Sequence, residues 1–90
     1  GLSGRHFERM FKRETGQSPL RYYHHLRLMK ARQRVLYSND SLREIAASVG
    51  YMTSSPMIRH YTGFFGVSPR DERRLTQTMR RAPVRVEAAE

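Results

Sequence analysis

Apolar residues recur at spacings of three and four along most of the chain, and no β-branched run alternates at period two, so the pattern is helical. Phe7, Met10 and Phe11 form the stripe of a first helix expected over about 3–14, capped by Ser3 and ended by Gly16, with Arg5, Glu8, Arg9 and Lys12 on the opposite side. Ser18-Pro19 pairs an N-cap with a proline at the first helical position and opens a longer helix, about 18–37. Its stripe is Leu28, Ala31 and Val35, with Leu20 and Tyr23 on a similar face nearer its start. Ser38-Asn39-Asp40 reads as a turn. Ser41 and Glu44 make a capping box ahead of Leu42, Ile45, Ala46 and Val49, which predicts a third helix over 41–49. Gly50 follows as a left-handed turn residue. A fourth helix is expected over 54–65, with Pro56 tolerated in its first turn and Met57, Tyr61, Phe64 and Phe65 as its stripe. Gly66 stops it, and Ser68-Pro69 starts a fifth helix to about Leu75. Beyond Thr76 the periodicity ends, and residues 76–90 read as a disordered tail. The fold class is all-α.

Laid on itself at an offset of 50, the chain matches Arg9, Gly16, Ser18 and Pro19 with Arg59, Gly66, Ser68 and Pro69. Phe11 then falls on Tyr61, Phe7 on Met57 and Ser3 on Thr53. One supersecondary unit is used twice. In the second copy a short helix, the tight turn Gly50–Thr53 and a second helix spell helix-turn-helix, whose second helix enters the major groove. The first copy starts at its second helix, so the first unit is expected to be truncated at its N-terminus. The expected divisions are a recognition-helix remnant (1–17), a linker helix (18–38), the second helix-turn-helix with a closing helix (39–75), and the tail. Phe7, Met10 and Phe11 should then be more exposed than Met57, Tyr61 and Phe65, or be covered by another chain.

Charge narrows the partner. The chain holds 17 Lys plus Arg against 8 Asp plus Glu, a formal +9, which favours a polyanion, whether nucleic acid or an anionic membrane. Residues 1–36 carry net +7, residues 37–75 net +1 and residues 76–90 net +1. There is no cysteine, which fits a cytoplasmic protein, and no apolar run nears the ~20 residues that span a bilayer. No phosphate loop, nucleophile elbow or two-histidine helix motif is present, so neither catalysis nor a cofactor is expected. His24 and His25 diverge by about 100° on a helix, and His6 and His60 lie far off in sequence, so no metal site is expected. Helix 18–37 mixes Arg with Tyr and Gln and lacks a bulky membrane-binding face. The competing reading is a basic RNA-binding or architectural protein that contacts backbone without sequence preference. The repeat and the turn chemistry favour groove reading.

The residues also carry a family likeness. Arg5-His-Phe-Glu-Arg-Met-Phe-Lys-Arg-Glu-Thr-Gly-Gln-Ser-Pro19, then Arg27-Leu28 and Ala31, closely resembles the first half of the AraC/XylS-type DNA-binding domain. Leu42-Arg-Glu-Ile-Ala46, Val49-Gly-Tyr51, Arg59 and Phe65-Gly-Val-Ser-Pro69 resemble its second half. The resemblance covers roughly residues 2–75. It implies two helix-turn-helix units joined by a linker helix, reading neighbouring major-groove segments of double-stranded DNA. The groove-facing positions it implies are Arg5, Glu8, Arg9 and Lys12 in the first recognition helix. In the second they are Ser54, Ser55, Ile58 and Arg59, with Thr62 toward the backbone. It extends the partners to RNA polymerase and to a sensing or dimerising domain ahead of this module. The Arg5-to-Arg9 run resembles members whose sensor domain is amidotransferase-like. The second recognition helix departs from the family pattern: Met57 stands where an aromatic or large apolar residue is usual, and basic residues are usual near Thr62 and Gly63. Glu8 has two readings, acceptance from cytosine N4 or orientation of Arg5 or Lys12. Arg59 is read as a base or phosphate contact, with a structural ion pair as the alternative. Arg27 to Arg34 read as the solvated face of the linker helix, and Tyr22, Tyr23, Phe64 and Phe65 as core.

Overall fold

Most of the helix boundaries are set by a local hydrogen bond, the start of the fourth helix at Thr53 being an exception. The computed structural model describes residues 3–81: α1 (Gly4–Thr15), α2 (Pro19–Tyr37), α3 (Leu42–Ser48), α4 (Ser54–Phe65) and α5 (Pro69–Arg81), with no strand among the described residues. Ser3 Oγ accepts from the His6 N–H, and Ser18 Oγ from the Arg21 N–H with Pro19 opening α2. Ser41 and Glu44 bond each other's backbone N–H at 3.1 Å each, completing the capping box of α3. Gly16 (φ 77°) and Gly66 (φ 73°) end α1 and α4 in the left-handed region, each N–H donating to the carbonyl four residues back. The sequence repeat is thus a structural one: two 12-residue helices, each closed by glycine and followed by a Ser-Pro helix start.

α5 runs six residues past the expected end at Leu75. Asp71 and Glu72 sit in its first turn and Arg80 and Arg81 in its last, the arrangement that complements the helix dipole. Arg80 also lies over the Tyr37 ring, 5.1 Å from its centroid. The rest of the expected tail, 82–90, lies outside the described residues.

The core belongs to the second unit. Leu28, Ala31 and Val35 of α2 meet Ile45 and Ala46 of α3, Tyr51 of the turn, and Met57 and Tyr61 of α4. Leu36, Leu42, Val49, Ile58, Phe64 and Phe65 flank this cluster. α1 contributes no buried residue. Phe7 and Met10 are 51% and 42% exposed, whereas Met57 and Tyr61 are fully buried; Phe11 and Phe65 are both half-buried. Phe11 gains its cover edge-on from Tyr22, at 5.3 Å between ring centroids. Tyr22 and Tyr23, expected in the core, are exposed. They stand near the start of α2, where α1 is the neighbour and the cluster built on Leu28 has not yet begun.

Arg27, Arg32 and Arg34 are not simply a solvated face. Arg27 Nε donates to the Val49 carbonyl at 2.7 Å, Arg32 makes a forked pair with Glu72, and Arg34 pairs with Asp40. Arg73 of α5 answers from the other side. Its guanidinium donates to the carbonyls of Val35 (3.0 Å), Asp40 (2.7 Å), Arg34 (3.2 Å) and Ser38 (3.3 Å). These include carbonyls left without a helical partner at the end of α2, so one cation both caps α2 and holds α5 to it.

Glu72 ties α5 to two more helices. It accepts from Arg32 of α2 and from the hydroxyl of the fully buried Tyr61 of α4. Burial works against its ionised form. The hydrogen bonds from Arg32 and Tyr61, with the Arg32 charge, outweigh that and hold its carboxyl below the ordinary range. Burial, then the bond to Glu72, pushes the Tyr61 phenol well above its usual value.

Two stability predictions follow from these ties. A charged hydrogen bond contributes about 1.5–3 kcal/mol, and Arg32 is partly solvated, so Glu72→Gln should cost about 1–2 kcal/mol at pH 7. Because the folded-state value of Glu72 is depressed, its contribution is present above the ordinary carboxylate value of about 4.3 and is lost as pH falls through the folded value. Thermal melts should therefore separate wild type from Glu72→Gln at pH 7 and draw them together toward pH 3; a gap that widens on acidification contradicts the assignment. Arg73→Ala should cost about 2–3 kcal/mol, roughly 4–8 °C of Tm for each kcal/mol, and Arg73→Lys should recover less than half, since an ammonium cannot span four carbonyls. Full recovery by lysine would show that charge alone matters.

Candidate nucleic-acid interface

The turn between α3 and α4 is built from backbone. The Tyr51 N–H donates to the Ala46 carbonyl at 2.9 Å and the Gly50 N–H to that of Ala47 at 3.2 Å, with Gly50 at φ 88°. Its left-handed φ favours glycine here, and a Cβ would also lie 3.2 Å from Arg27 Nη2, so a larger residue would strain the backbone and press on that guanidinium. The Arg27 guanidinium lies 4.2 Å from the centroid of the Tyr51 ring while its Nε holds Val49, which fixes the turn against α2.

On α1, Arg5, Glu8, Arg9 and Lys12 recur at i, i+3, i+4 and i+7 and are all exposed. With Ser18 they line one open concavity of about 470 Å³. No ion pair engages any of these four among the described residues, so Glu8 does not orient Arg5 or Lys12 in the way one reading expected. Three cations and one carboxylate thus share a solvent-facing surface of a single helix.

On α4 the equivalent positions, 50 residues on, are Ser55, Ile58, Arg59 and Thr62. Ser55, Arg59 and Thr62 are exposed, Ser54 is half-buried, and Ile58 is half-buried with its side chain against the core cluster. The Thr62 hydroxyl donates to the Ile58 carbonyl at 2.8 Å. Arg59 makes no ion pair among the described residues, which leaves its guanidinium free for an external acceptor. The α4 surface carries one cation where the α1 surface carries three.

The residues that position these surfaces escaped the sequence reading. Arg27, Arg32, Glu72 and Arg73 pair over 22 to 40 residues of sequence, and no local spacing announces such partners. Tyr51 sits in the Val-Gly-Tyr motif and was visible as part of the resemblance, but its bond to His60 Nδ1, at 2.9 Å, was not. His24 and His60, far apart in sequence, come to 5.3 Å between ring centroids. No cluster of three His, Cys, Asp or Glu side chains that could hold a metal occurs among the described residues, and none of the described helices is long and apolar enough to cross a membrane.

Comparison with known proteins gives a consistent family. A helix-turn-helix domain profile matches residues 1–75. The HTH-type transcriptional regulator GbdR of Pseudomonas aeruginosa is 39% identical over 72 residues, which is 80% of this chain and 20% of that protein. The HTH-type transcriptional activator RhaS of Escherichia fergusonii is 42% identical over 72 residues, 80% of this chain and 26% of that protein. The chain therefore spans about a fifth to a quarter of the length of these curated relatives. Among solved structures, the DNA-binding domain of the global transcriptional factor AdpA, determined in complex with a target DNA, is similar with a TM-score of 0.79 and 28% identity, covering 88% of this chain and 71% of that one. A transcriptional regulator from Chromobacterium violaceum, described as having an AraC-type DNA-binding domain, gives a TM-score of 0.75 and 34% identity, covering 92% and 70%. Duplicated recognition helices around a shared linker, with a family match over five-sixths of the length, place this chain in the AraC-type helix-turn-helix family.

Proposed function

We propose that this chain binds double-stranded DNA sequence-specifically in the major groove, as the DNA-binding part of a transcriptional regulator. The observation that carries the reading is the repeat in three dimensions: two equal helices present exposed side chains at the same positions, 5, 9 and 12 on one and 55, 59 and 62 on the other. Two such helices on a common linker suit two neighbouring groove segments, and the AdpA domain of similar fold was determined on a target DNA. Arg5 and Arg9 can bond guanine O6 and N7 together, Lys12 suits a phosphate, and Glu8, unpaired, suits cytosine N4. On α4, Arg59 is the base reader, Ser54, Ser55 and Ile58 the near contacts, and Thr62 the backbone contact. In the whole protein the reading adds a sensing or dimerising domain before this module, contact with RNA polymerase, and a cytoplasmic location with the DNA. It assigns no catalytic role to the chain.

The charge distribution supports a second reading, in which the net +7 of residues 1–36 grips phosphate without base preference. Salt titrations on one preferred and one scrambled duplex separate the two. In the full-length regulator, Lys12→Ala should weaken both duplexes alike and lower the slope of log K against log salt by about one unit. Arg9→Ala should cost roughly 1–3 kcal/mol on the preferred duplex and relax preference at one base pair. Arg59→Ala should cost less, because its helix has few phosphate anchors to fix its register. A larger loss for Arg59→Ala than for Arg9→Ala would make α4 the dominant reader; equal losses on both duplexes for every variant would favour backbone binding alone.

A further inference from the structure

The outward set of α4 is anchored by a short chain of polar and aromatic contacts that ends one residue from Arg59. Arg27 of α2 lies over the Tyr51 ring, 4.2 Å from its centroid, and the Tyr51 hydroxyl meets His60 Nδ1 at 2.9 Å. The His60 ring stands edge to face with that of His24, back on α2, at 5.3 Å. The linker helix therefore touches α4 through a closed loop: Arg27, Tyr51, His60, His24. His60 neighbours Arg59 in the same helical turn, so any rotation of α4 that His60 permits also moves the Arg59 guanidinium. α1 has no counterpart to this loop, since the position equivalent to His60 is Met10, which is exposed and apolar.

We propose that His60 is a positioning residue for base readout by α4, and that it performs this role only as the neutral imidazole. The inference rests on the DNA-binding reading above. A neutral ring with its proton on Nε2 accepts the Tyr51 O–H at Nδ1. Protonation turns Nδ1 into a donor, reverses that bond, and adds a cation to a cluster that already holds several. The groups facing His60 are His24, Arg27 and Arg21 on α2, Tyr51 in the turn, and Arg59 on α4 itself; those that act on it electrostatically are all basic. His24 Nδ1 is buried without a hydrogen-bond partner, so nothing offsets charge from that side. Burial first, then His24, Arg59 and Arg27, hold the His60 ring below its ordinary value. The folded protein thus keeps His60 neutral at pH 7, and the stabilisation it supplies is lost as pH falls from the ordinary value of about 6.5 through the folded one. Because only α4 carries this dependence, acid should blunt the reading of one groove segment and spare the other.

The test measures discrimination, since acid strengthens non-specific attraction to any polyanion. Duplexes carrying single base-pair changes are assigned to α1 or α4 by which changes lose their effect in Arg9→Ala or Arg59→Ala. Wild type, Tyr51→Phe and His60→Asn, all full-length, are then compared at pH 7.5 and at a pH one unit below the His60 midpoint measured in the free protein. The expected result is about a tenfold loss of discrimination in the α4 segment of wild type at the lower pH, with the α1 segment unchanged. His60→Asn keeps an acceptor near the Nδ1 position but cannot titrate, so its discrimination should hold at both pH values. Tyr51→Phe should be impaired at both. In parallel, the His60 Cε1–H resonance of the free protein should titrate below about 6.5 and move upward in Tyr51→Phe. A wild-type α4 segment indifferent to pH, or a His60→Asn profile that follows wild type, overturns the proposal. If no duplex is preferred over any other, the functional reading fails instead. The free-protein titration then decides alone: a His60 midpoint at the ordinary value, unmoved by Tyr51→Phe, overturns the positioning role.

Discussion

Glu72 accepts hydrogen bonds from the Tyr61 hydroxyl of α4 and the Arg32 guanidinium of α2 while standing in the first turn of α5. Three helices meet on that carboxylate, and its neighbour Arg73 fastens the same turn to four carbonyls at the end of α2. The apolar core cluster beneath is small, eight buried residues among those described, and a hydrophobic contact is non-directional. Burial of Met57 and Tyr61 sets the inward face of α4, since rolling it over α2 would expose both. The hydrogen bond from the Tyr61 hydroxyl to the Glu72 carboxylate has direction, and it refines the roll that burial allows. The outward placement of Ser55, Arg59 and Thr62 therefore rests on the apolar stripe of α4 and on a carboxylate from another helix.

The two recognition helices are held by different physics. α4 is locked by Glu72 from one side and by the Arg27–Tyr51–His60 chain from another. α1 rests on α2 chiefly through Phe11 against Tyr22 and buries no residue. Charge runs the other way, with Arg5, Arg9 and Lys12 on α1 against Arg59 on α4. Strong charge gives attraction to any phosphate backbone, while rigid placement gives selectivity at a base edge. The charge on α1 suits much of the grip on phosphate, and the single Arg59 of α4 suits a smaller increment.

The helices themselves were legible because their signals are local. Ser18-Pro19, the Ser41 and Glu44 pair, Gly16 and Gly66 act within four residues of the bond they make, and the structure places a helix boundary at each. The repeat was legible for the same reason. α5 overran its expected end because Thr76 to Arg81 continue on dipole complementarity with side chains exposed from Gln77 on, without an apolar stripe to follow. Arg27, Arg32 and Arg34 looked solvated because a helix-face argument sees charge but not the carboxylate or carbonyl that another segment brings. Tyr22 and Tyr23 looked buried because an aromatic on a periodic face carries no sign of whether a second helix covers that face. Among the candidate contacts, the stripe Arg5, Glu8, Arg9, Lys12 was readable from spacing, whereas the half-burial of Ile58 depends on how α4 packs on the core cluster built by other segments.

Guanine N7 lies in the major groove and is methylated by dimethyl sulfate unless a bound protein covers it, so methylation protection tests the central claim most directly. On a preferred duplex the wild-type protein should protect N7 in two neighbouring groove segments. Glu72→Gln, at a temperature where circular dichroism shows it folded, should lose protection in the α4 segment and keep it in the α1 segment. Loss of both segments together, or no N7 protection by the wild type, would contradict the account.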